Sequence, residues 1–124
     1  MYLVDTNIYL EVLLGQEFKN ECKSFLINNT SDIYISDFSV HSIGIILFRY
    51  DKKEIFNFFY NDISRNIRIT ALKNYDVLFQ NSKRSSLDFD DLYQYCVAKE
   101  NGLSIVTMDK DFKKIDDLDV KFIK

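Results

Sequence analysis

The sequence contains no proline, and it has only three glycines, two cysteines and one histidine. Because neither proline nor glycine is concentrated anywhere, no linker is expected, and residues 1–124 are predicted to form one domain. Cys22 and Cys96 are too few to staple a chain of this length, which predicts reduced thiols in a cytoplasmic protein. A single histidine without a cysteine cluster disfavours a zinc site.

The chain also lacks a long apolar run. The longest one covers residues 43–48, which is far too short to span a bilayer. The first five residues do not form a basic region followed by an apolar stretch, so no signal peptide is predicted. These two absences predict a protein without membrane association.

A surplus of basic residues, the usual mark of a nucleic-acid-binding protein, is missing as well. The chain has 16 basic and 19 acidic residues, and its formal net charge is −3. Nucleic-acid binding is not excluded, because an acidic metal pocket would subtract several charges locally. Three basic pairs are candidates for a phosphate-facing rim, although each pair alone is better explained as a solvated helix end. The pairs are Lys52-Lys53, Lys83-Arg84 and Lys113-Lys114.

Five short segments have the β-branched or aliphatic composition of buried parallel strands. These segments cover residues 2–4, 33–35, 67–70, 104–106 and 120–123. The last is the weakest, because Lys121 interrupts it. The segments between them have helical spacing, and strand–helix alternation predicts an α/β protein whose parallel sheet, of four or five strands, is covered on both faces.

Helix ends and one unusually apolar helix are also visible in the sequence. Ser36 is predicted to cap the helix that follows the second strand, and Asp88 to cap a helix that stops near Gly102. The segment from residue 39 to residue 50 is apolar almost all round, which is typical of a helix sandwiched in the core or placed at an oligomer interface. Together with the aromatic-rich segment 56–60, it predicts a two-fold homodimer.

Three aspartates stand where predicted strands end or predicted helices begin: Asp5, Asp91 and Asp109. Ligands of open α/β sheets bind beyond the carboxyl ends of the strands, so we expect these carboxylates to converge in one pocket. Mg²⁺ and Mn²⁺ prefer oxygen ligands and are the predicted ions, and such a site serves phosphodiester hydrolysis. Taken singly, each aspartate is equally well explained as a helix cap, a helix-dipole acid or part of a surface turn.

Three segments of the chain resemble the PIN-domain family, especially its small single-domain ribonucleases of the VapC toxin type. The segments are Leu3-Val4-Asp5-Thr6-Asn7, the stretch from Asp91 to Ala98, and Val106-Thr107-Met108-Asp109-Lys110-Asp111-Phe112. The resemblance extends over nearly the whole chain. It implies a three-layer α/β/α sandwich, metal-dependent cleavage of RNA, and often an antitoxin partner that occludes the site.

The resemblance also implies residue roles. By matching position, Asp5, Asp91 and Asp109 take the family's catalytic and metal-binding roles, and Asn7 and Thr107 fall where the family commonly has polar groups that support the ligands. We expect Asp111 to point away from the site and to cap the short turn that begins near it.

One departure from the family pattern bears on activity. The family usually carries a glutamate about six residues past the position of Ser36, and Ser42 stands there instead. A serine hydroxyl can hold a water molecule near a metal but brings no negative charge. The neighbouring His41 lies about 100° round the helix, so it is not expected to replace the carboxylate. Glu11, Asp88 and Asp90 are further acids that could lean in.

The leading hypothesis for function is therefore an Mg²⁺- or Mn²⁺-dependent endoribonuclease, as the toxin of a toxin–antitoxin pair. The missing glutamate supports an alternative, a degenerate PIN domain that binds RNA or a protein partner without cleaving. A metal-dependent phosphatase or DNA nuclease is a further alternative, since three carboxylates do not distinguish one sugar from another.

Overall fold

The computed structural model describes residues 1–83 and 85–124. Within these residues, five strands alternate with six α-helices and two short 3₁₀ segments. In chain order the regular elements are β1 (Tyr2–Val4), α1 (Thr6–Leu13), α2 (Lys19–Asn28), β2 (Ile33–Ser36), α3 (Asp37–Arg49), α4 (Lys53–Asn66), β3 (Arg68–Thr70), α5 (Asp76–Ser82), α6 (Phe89–Asn101), β4 (Ser104–Thr107) and β5 (Val120–Phe122). The 3₁₀ segments cover Thr30–Asp32 and Lys110–Lys114.

The five strands form one parallel sheet in the order β3-β2-β1-β4-β5. The predicted α/β/α sandwich is thereby confirmed, and the weak fifth segment is a true edge strand that pairs with β4. The predicted start of β3 at Ile67 is wrong by one residue. The Ile67 N–H donates to the Ile63 carbonyl and closes α4, so strand pairing starts only at Arg68.

The helices cover both faces of the sheet and form two separate apolar cores. One core packs α5 and α6 against the sheet and is centred on residues such as Leu92, Val97 and Ile105. The other core packs α1 to α4 against the opposite face around Ile8, Ile35 and further buried side chains. The carboxyl ends of β1 and β4 lie at one edge of the sheet, where Asp5 directly follows β1 and Asp109 follows β4 after Met108.

The helix-end predictions are confirmed in position. The Ser36 side chain accepts the Ser39 N–H at 3.0 Å and caps α3, which begins at Asp37, directly after the predicted cap. Gly102 ends α6 in the left-handed conformation with φ at 64°, a geometry that glycine adopts without strain. Asp88 occupies the N-cap position of α6, but its side chain makes no capping hydrogen bond there.

α3 is not sandwiched inside the protein despite its apolar composition. Ser39, Ile43 and Leu47 form its buried face, whereas Ile45 is 41% exposed and Phe48 is 53% exposed. Of the two explanations for the composition of α3, the one that places it inside the core is therefore wrong.

Among residues 1–83 and 85–124, no helix combines the length and apolarity that crossing a membrane requires.

Candidate metal centre

Two neighbouring parallel strands deliver acidic side chains to the same edge of the sheet. β1 and β4 pair with Val4 opposite Val106, and the Asp5 N–H donates to the Val106 carbonyl over 2.9 Å. Asp5 therefore follows β1 where β4 is about to end, and Asp109 comes shortly after β4. α6 adds Asp91 from its first turn. Residues far apart in the sequence thus meet because the sheet order places β1 beside β4.

These aspartates line one open pocket of about 440 Å³. Its walls are formed by Asp5, Thr6, Asn7, Leu10, Phe38, Ser42, Ile45, Ile46, Arg49, Asp90, Asp91 and Asp109. The structure thus brings together all three predicted ligands, together with Asn7 and Ser42. Thr107 is fully buried and reaches the site through its hydrogen bonds.

Asp5 is the most tightly held of the three aspartates. Its Oδ1 accepts hydrogen bonds from the Thr6 N–H at 2.8 Å and from Gln94 Nε2 at 3.0 Å. Its Oδ2 accepts one from Thr107 Oγ1 at 2.8 Å. Burial raises the pKa of Asp5, and the hydrogen bonds from Gln94, Thr107 and Thr6 act in the opposite direction. Asp5 therefore caps α1 and presents a fixed carboxylate to the pocket at the same time.

Thr107 and Asn7 link the end of β4 to the first turn of α1. Thr107 Oγ1 accepts the Asp109 N–H at 3.0 Å while it donates to Asp5, so one hydroxyl connects two of the aspartates. Asn7 Oδ1 accepts the Met108 N–H at 3.3 Å, and Asn7 Nδ2 donates to Thr107 Oγ1 at 3.4 Å. Both residues support the backbone from which Asp109 projects.

Three carboxylates form the densest acidic group in the pocket region. One side-chain oxygen each from Asp91, Asp109 and Asp111 lies within 4.8 Å of the others, and Asp5 is not a member of this group. The prediction that Asp111 points away is therefore wrong. Asp109, rather than Asp111, caps the 3₁₀ segment by accepting the Asp111 N–H at 2.9 Å, and this turn brings the Asp111 carboxylate back toward Asp91.

The sequence matches the PIN domain family over residues 2–118. The chain belongs to the PIN domain family. No curated protein matches the sequence. Solved structures that are similar to this PIN domain include VapBC2 from Rickettsia felis bound to a DNA fragment from its promoter, at 18% identity, with 98% of this chain and 97% of that chain covered and a TM-score of 0.77.

Two further structures are similar over comparable lengths. A toxin–antitoxin complex from Klebsiella pneumoniae shares 19% identity over 93% of this chain and 92% of that chain, with a TM-score of 0.75. VapC20 from Mycobacterium tuberculosis, a toxin that cleaves the sarcin–ricin loop, shares 15% identity over 91% and 93%, with a TM-score of 0.71. At these identities, the likenesses establish that the fold is shared.

Ser42, which stands where the family resemblance led us to expect a glutamate, lies in the pocket wall. Its hydroxyl makes no hydrogen bond to any residue in the described ranges, 1–83 and 85–124. His41 lines a different groove, on the other flank of α3, and so does not replace the carboxylate. Of the other acids considered, Asp90 lines the pocket, whereas the Glu11 carboxylate is engaged by the Phe18 N–H at 2.8 Å.

Gln94 is a site residue that sequence reasoning missed. It is fully buried one turn beyond Asp91, and its Nε2 donates to both Asp5 Oδ1 and Ser39 Oγ, the latter at 2.8 Å. A carboxylate only accepts hydrogen bonds, so the amide nitrogen must face Asp5. Gln94 Oε1 is left buried without a hydrogen-bond partner in the part of the chain that the structure describes. The sequence signal for Gln94 is that it is a polar residue on an otherwise apolar face of its helix.

Arg49 is the second site residue that was missed. None of the predicted basic pairs contributes a described residue to the pocket wall, and Arg84 lies outside the described residues. The cation in the wall is instead Arg49, in the last turn of α3. It follows Ser42 by two helical turns, so the signal was its spacing on that face of α3.

The carboxylates of the site are not neutralised by basic side chains. Among residues 1–83 and 85–124, the one ion pair within 4.0 Å joins Lys99 to Asp117, outside the pocket. Burial and the neighbouring charges of Asp109 and Asp5 raise the pKa of Asp91 to about 7, and a hydrogen bond with the Asp109 side chain acts in the same direction. A crowded set of hard oxygen donors without a counter-ion fits a divalent cation such as Mg²⁺ or Mn²⁺.

This electrostatic arrangement predicts how the metal-free protein responds to pH. The pKa of Asp91 is about 7 in the folded state, against an ordinary value of 3.8 for an aspartate carboxyl group. A raised pKa in the folded state favours folding at low pH, so stability should fall as the pH rises from about 4 to about 7 and then level off. After a discount for solvent screening, we expect a loss of about 1–2 kcal/mol.

Thermal unfolding in EDTA between pH 4 and pH 8 measures this effect. Asp91→Asn should flatten the decline, because asparagine does not titrate, whereas the exposed Asp116→Asn should preserve it. A wild-type protein that becomes more stable across this range would contradict the prediction.

Proposed function

We propose that this PIN domain is a divalent-metal-dependent endoribonuclease that hydrolyses RNA phosphodiesters with Mg²⁺ or Mn²⁺. The observation that carries the proposal is the group of Asp91, Asp109 and Asp111 oxygens within 4.8 Å of one another, beside the buried Asp5. These carboxylates have no basic partner among the described residues, so their charge is available to a cation.

Each aspartate has a distinct part in this proposal. Asp91 and Asp109 would hold a metal ion, with Asp5 completing the set from the end of β1 and Asp111 adding a more exposed oxygen. A divalent cation there would supply Lewis-acid activation of water and stabilise the departing oxygen. Thr107 fixes the relative positions of Asp5 and Asp109 by hydrogen-bonding to both. The hydrogen bonds to Asp5 hold its carboxylate in one orientation and favour its charged form.

We also propose that the protein is the toxin of a toxin–antitoxin pair and acts in the cytoplasm. Support comes from the PIN fold and from the similar structures from Rickettsia felis and Klebsiella pneumoniae, which are toxin–antitoxin complexes. If a small reading frame adjoins the gene, co-expression with its product tests the pairing. Relief of growth inhibition and co-purification are the expected results, and independent behaviour of the two proteins would oppose the pairing.

Ser42 favours one alternative function, which is RNA or protein binding without cleavage. Without a carboxylate at this position the pocket holds less negative charge, so metal affinity is expected to be weak and cleavage slow. The deciding assay is cleavage of labelled single-stranded RNA across a Mn²⁺ titration that reaches the millimolar range, with Mg²⁺ in parallel. We expect slow cleavage that is faster with Mn²⁺, since Mg²⁺ demands stricter geometry. Matched DNA substrates test the deoxyribonuclease alternative.

Assembly as a homodimer is a further part of the proposal. α3 exposes Phe48 at 53%, beside a groove of about 680 Å³ that it shares with Phe56 and Tyr60 of α4. Burying this aromatic surface in a two-fold interface would stabilise a dimer. Phe48→Asp should therefore convert a dimer into a monomer in sedimentation velocity. Phe79→Asp is the control, because Phe79 is comparably exposed on α5. A wild-type protein that is monomeric at high concentration would contradict the prediction.

A further inference from the structure

A second groove continues from the acidic pocket along α3 and α1. It has a volume of about 440 Å³ and shares Asn7, Leu10, Ile46 and Arg49 with the walls of the acidic pocket. Beyond this shared boundary its wall includes Tyr50. The two depressions are therefore one continuous path, with the acidic group at one end and an aromatic residue at the other.

Arg49 stands at the boundary between the two depressions and is the one basic residue in the described walls of either. Four aspartates line the same pocket, yet Arg49 forms no ion pair, hydrogen bond or ring contact with any residue in ranges 1–83 and 85–124. Its guanidinium carries five N–H donors in a planar fork that matches a phosphate group. These donors are thus available to an anion that enters the path.

The far part of the groove offers a stacking surface next to this cation. Tyr50 is 63% exposed, and its ring contacts no other aromatic ring in the described structure. Leu14 and the Gln16 side chain lie in the same wall, so apolar surface and an amide are within the groove. The acid in this wall is Glu11. Its carboxylate accepts the Phe18 N–H, and this hydrogen bond holds it at the start of α2.

The order of charges along the path identifies its occupant. A basic peptide that neutralised the aspartates would bring like charge against Arg49 at the boundary. A single nucleic-acid strand presents the opposite pattern, with a phosphate for the guanidinium and a base for the tyrosine ring. Along such a strand, a phosphate and a base follow each other in the same order as Arg49 and Tyr50 along the groove.

We propose that this groove is the binding subsite for the nucleotide next to the scissile phosphodiester of a single-stranded RNA, with Arg49 on its phosphate and Tyr50 stacked on its base. The inference rests on the proposed ribonuclease function and adds the path of the substrate to it. The positive charge of Arg49 also attracts the RNA polyanion to a pocket whose aspartates repel it.

Binding can be measured separately from cleavage, by fluorescence anisotropy of a labelled single-stranded RNA of 12 nucleotides in EDTA and in Ca²⁺. Arg49→Gln should weaken binding roughly tenfold and lower the slope of log affinity against log salt by about 0.7, the value for one phosphate contact on a single strand. Arg65→Gln is the matched control, since Arg65 is an exposed arginine in the last turn of α4. Mn²⁺ affinity should be unchanged in Arg65→Gln and should not fall in Arg49→Gln, because that variant removes a positive charge from the pocket wall.

Substitution of Tyr50 separates stacking from hydrogen bonding. Tyr50→Ala should weaken RNA binding roughly tenfold, and Tyr50→Phe should retain it, because base stacking requires only the ring. Equal RNA affinity of Arg49→Gln and wild type would overturn the proposed subsite but not the proposed ribonuclease function. Absence of RNA binding by the wild type would overturn both proposals. If Arg49→Gln or Tyr50→Ala changed the oligomeric state but not the RNA affinity, the groove would be a protein contact, and the subsite would again be overturned.

Discussion

Asp109→Asn is expected to lower RNA cleavage at least about a thousandfold at every Mn²⁺ concentration, which is among the largest effects expected of any single substitution in the chain. Asp109 belongs to the group of three carboxylates and also contacts Asp91 directly. Lewis-acid stabilisation contributes several kcal/mol to such a reaction, and each 1.4 kcal/mol is about tenfold in rate. An amide brings no charge, so the group would lose much of its attraction for a cation.

The fold should survive this substitution. Asparagine retains an Oδ1 that can accept the Asp111 N–H, so the 3₁₀ segment keeps its cap. The measurements are initial cleavage rates across a Mn²⁺ titration, together with thermal unfolding to confirm that the variant is folded. Asp116→Asn serves as the control, because Asp116 is an exposed aspartate outside the pocket.

Asp5→Asn should have a similar effect on cleavage, with an added structural cost. Its carboxylate accepts from both Gln94 and Thr107, and an amide in this place would set an N–H₂ group against one of these donors. Cleavage that is unchanged in both Asp5→Asn and Asp109→Asn would show that the activity comes from a contaminant or from another site.

The fold could be predicted from the sequence because its strands are short, apolar and evenly separated by helical patterns. Errors were confined to ends, where competition between neighbouring elements decides the outcome. Ile67 has the β-branched side chain of a strand residue, yet its N–H completes α4. The start of α3 at Asp37 follows from the predicted cap, because the Ser36 side chain accepts the Ser39 N–H as soon as β2 ends.

The candidate site was only partly predictable, and the reason is geometric. Asp5 and Asp109 follow strands, and the strand direction alone places them at one edge of a parallel sheet. Asp111 was mispredicted because the 3₁₀ turn that returns it toward Asp91 depends on a cap from Asp109. Arg49 shares a helix face with Ser42, but only the packing of α3 showed that this face borders the pocket as far as the last turn of the helix.

Ser42→Glu is expected to raise both Mn²⁺ affinity and cleavage rate, each by about tenfold or more. Ser42 lines the pocket, is half-buried, and has no hydrogen-bond partner among the described residues, so a longer side chain can extend into open space. Two unit charges 4 Å apart interact by about 4 kcal/mol at an effective dielectric constant of 20. Solvent screening in this open pocket reduces the gain, which leaves roughly 1–2 kcal/mol for the bound cation.

Repulsion between the new glutamate and the existing aspartates gives Ser42→Glu a property that can be measured without catalysis. In EDTA the variant should unfold at a lower temperature than the wild type, because a further negative charge joins an unneutralised group, and Mn²⁺ should more than restore the loss. Ser42→Gln is the control of equal size without charge, and it should change neither Mn²⁺ affinity nor stability in this way. Equal gains in Ser42→Gln and Ser42→Glu would show that shape rather than charge limits the site. If no variant cleaves RNA, Ser42→Glu included, while the wild type still binds it, the domain acts by binding alone.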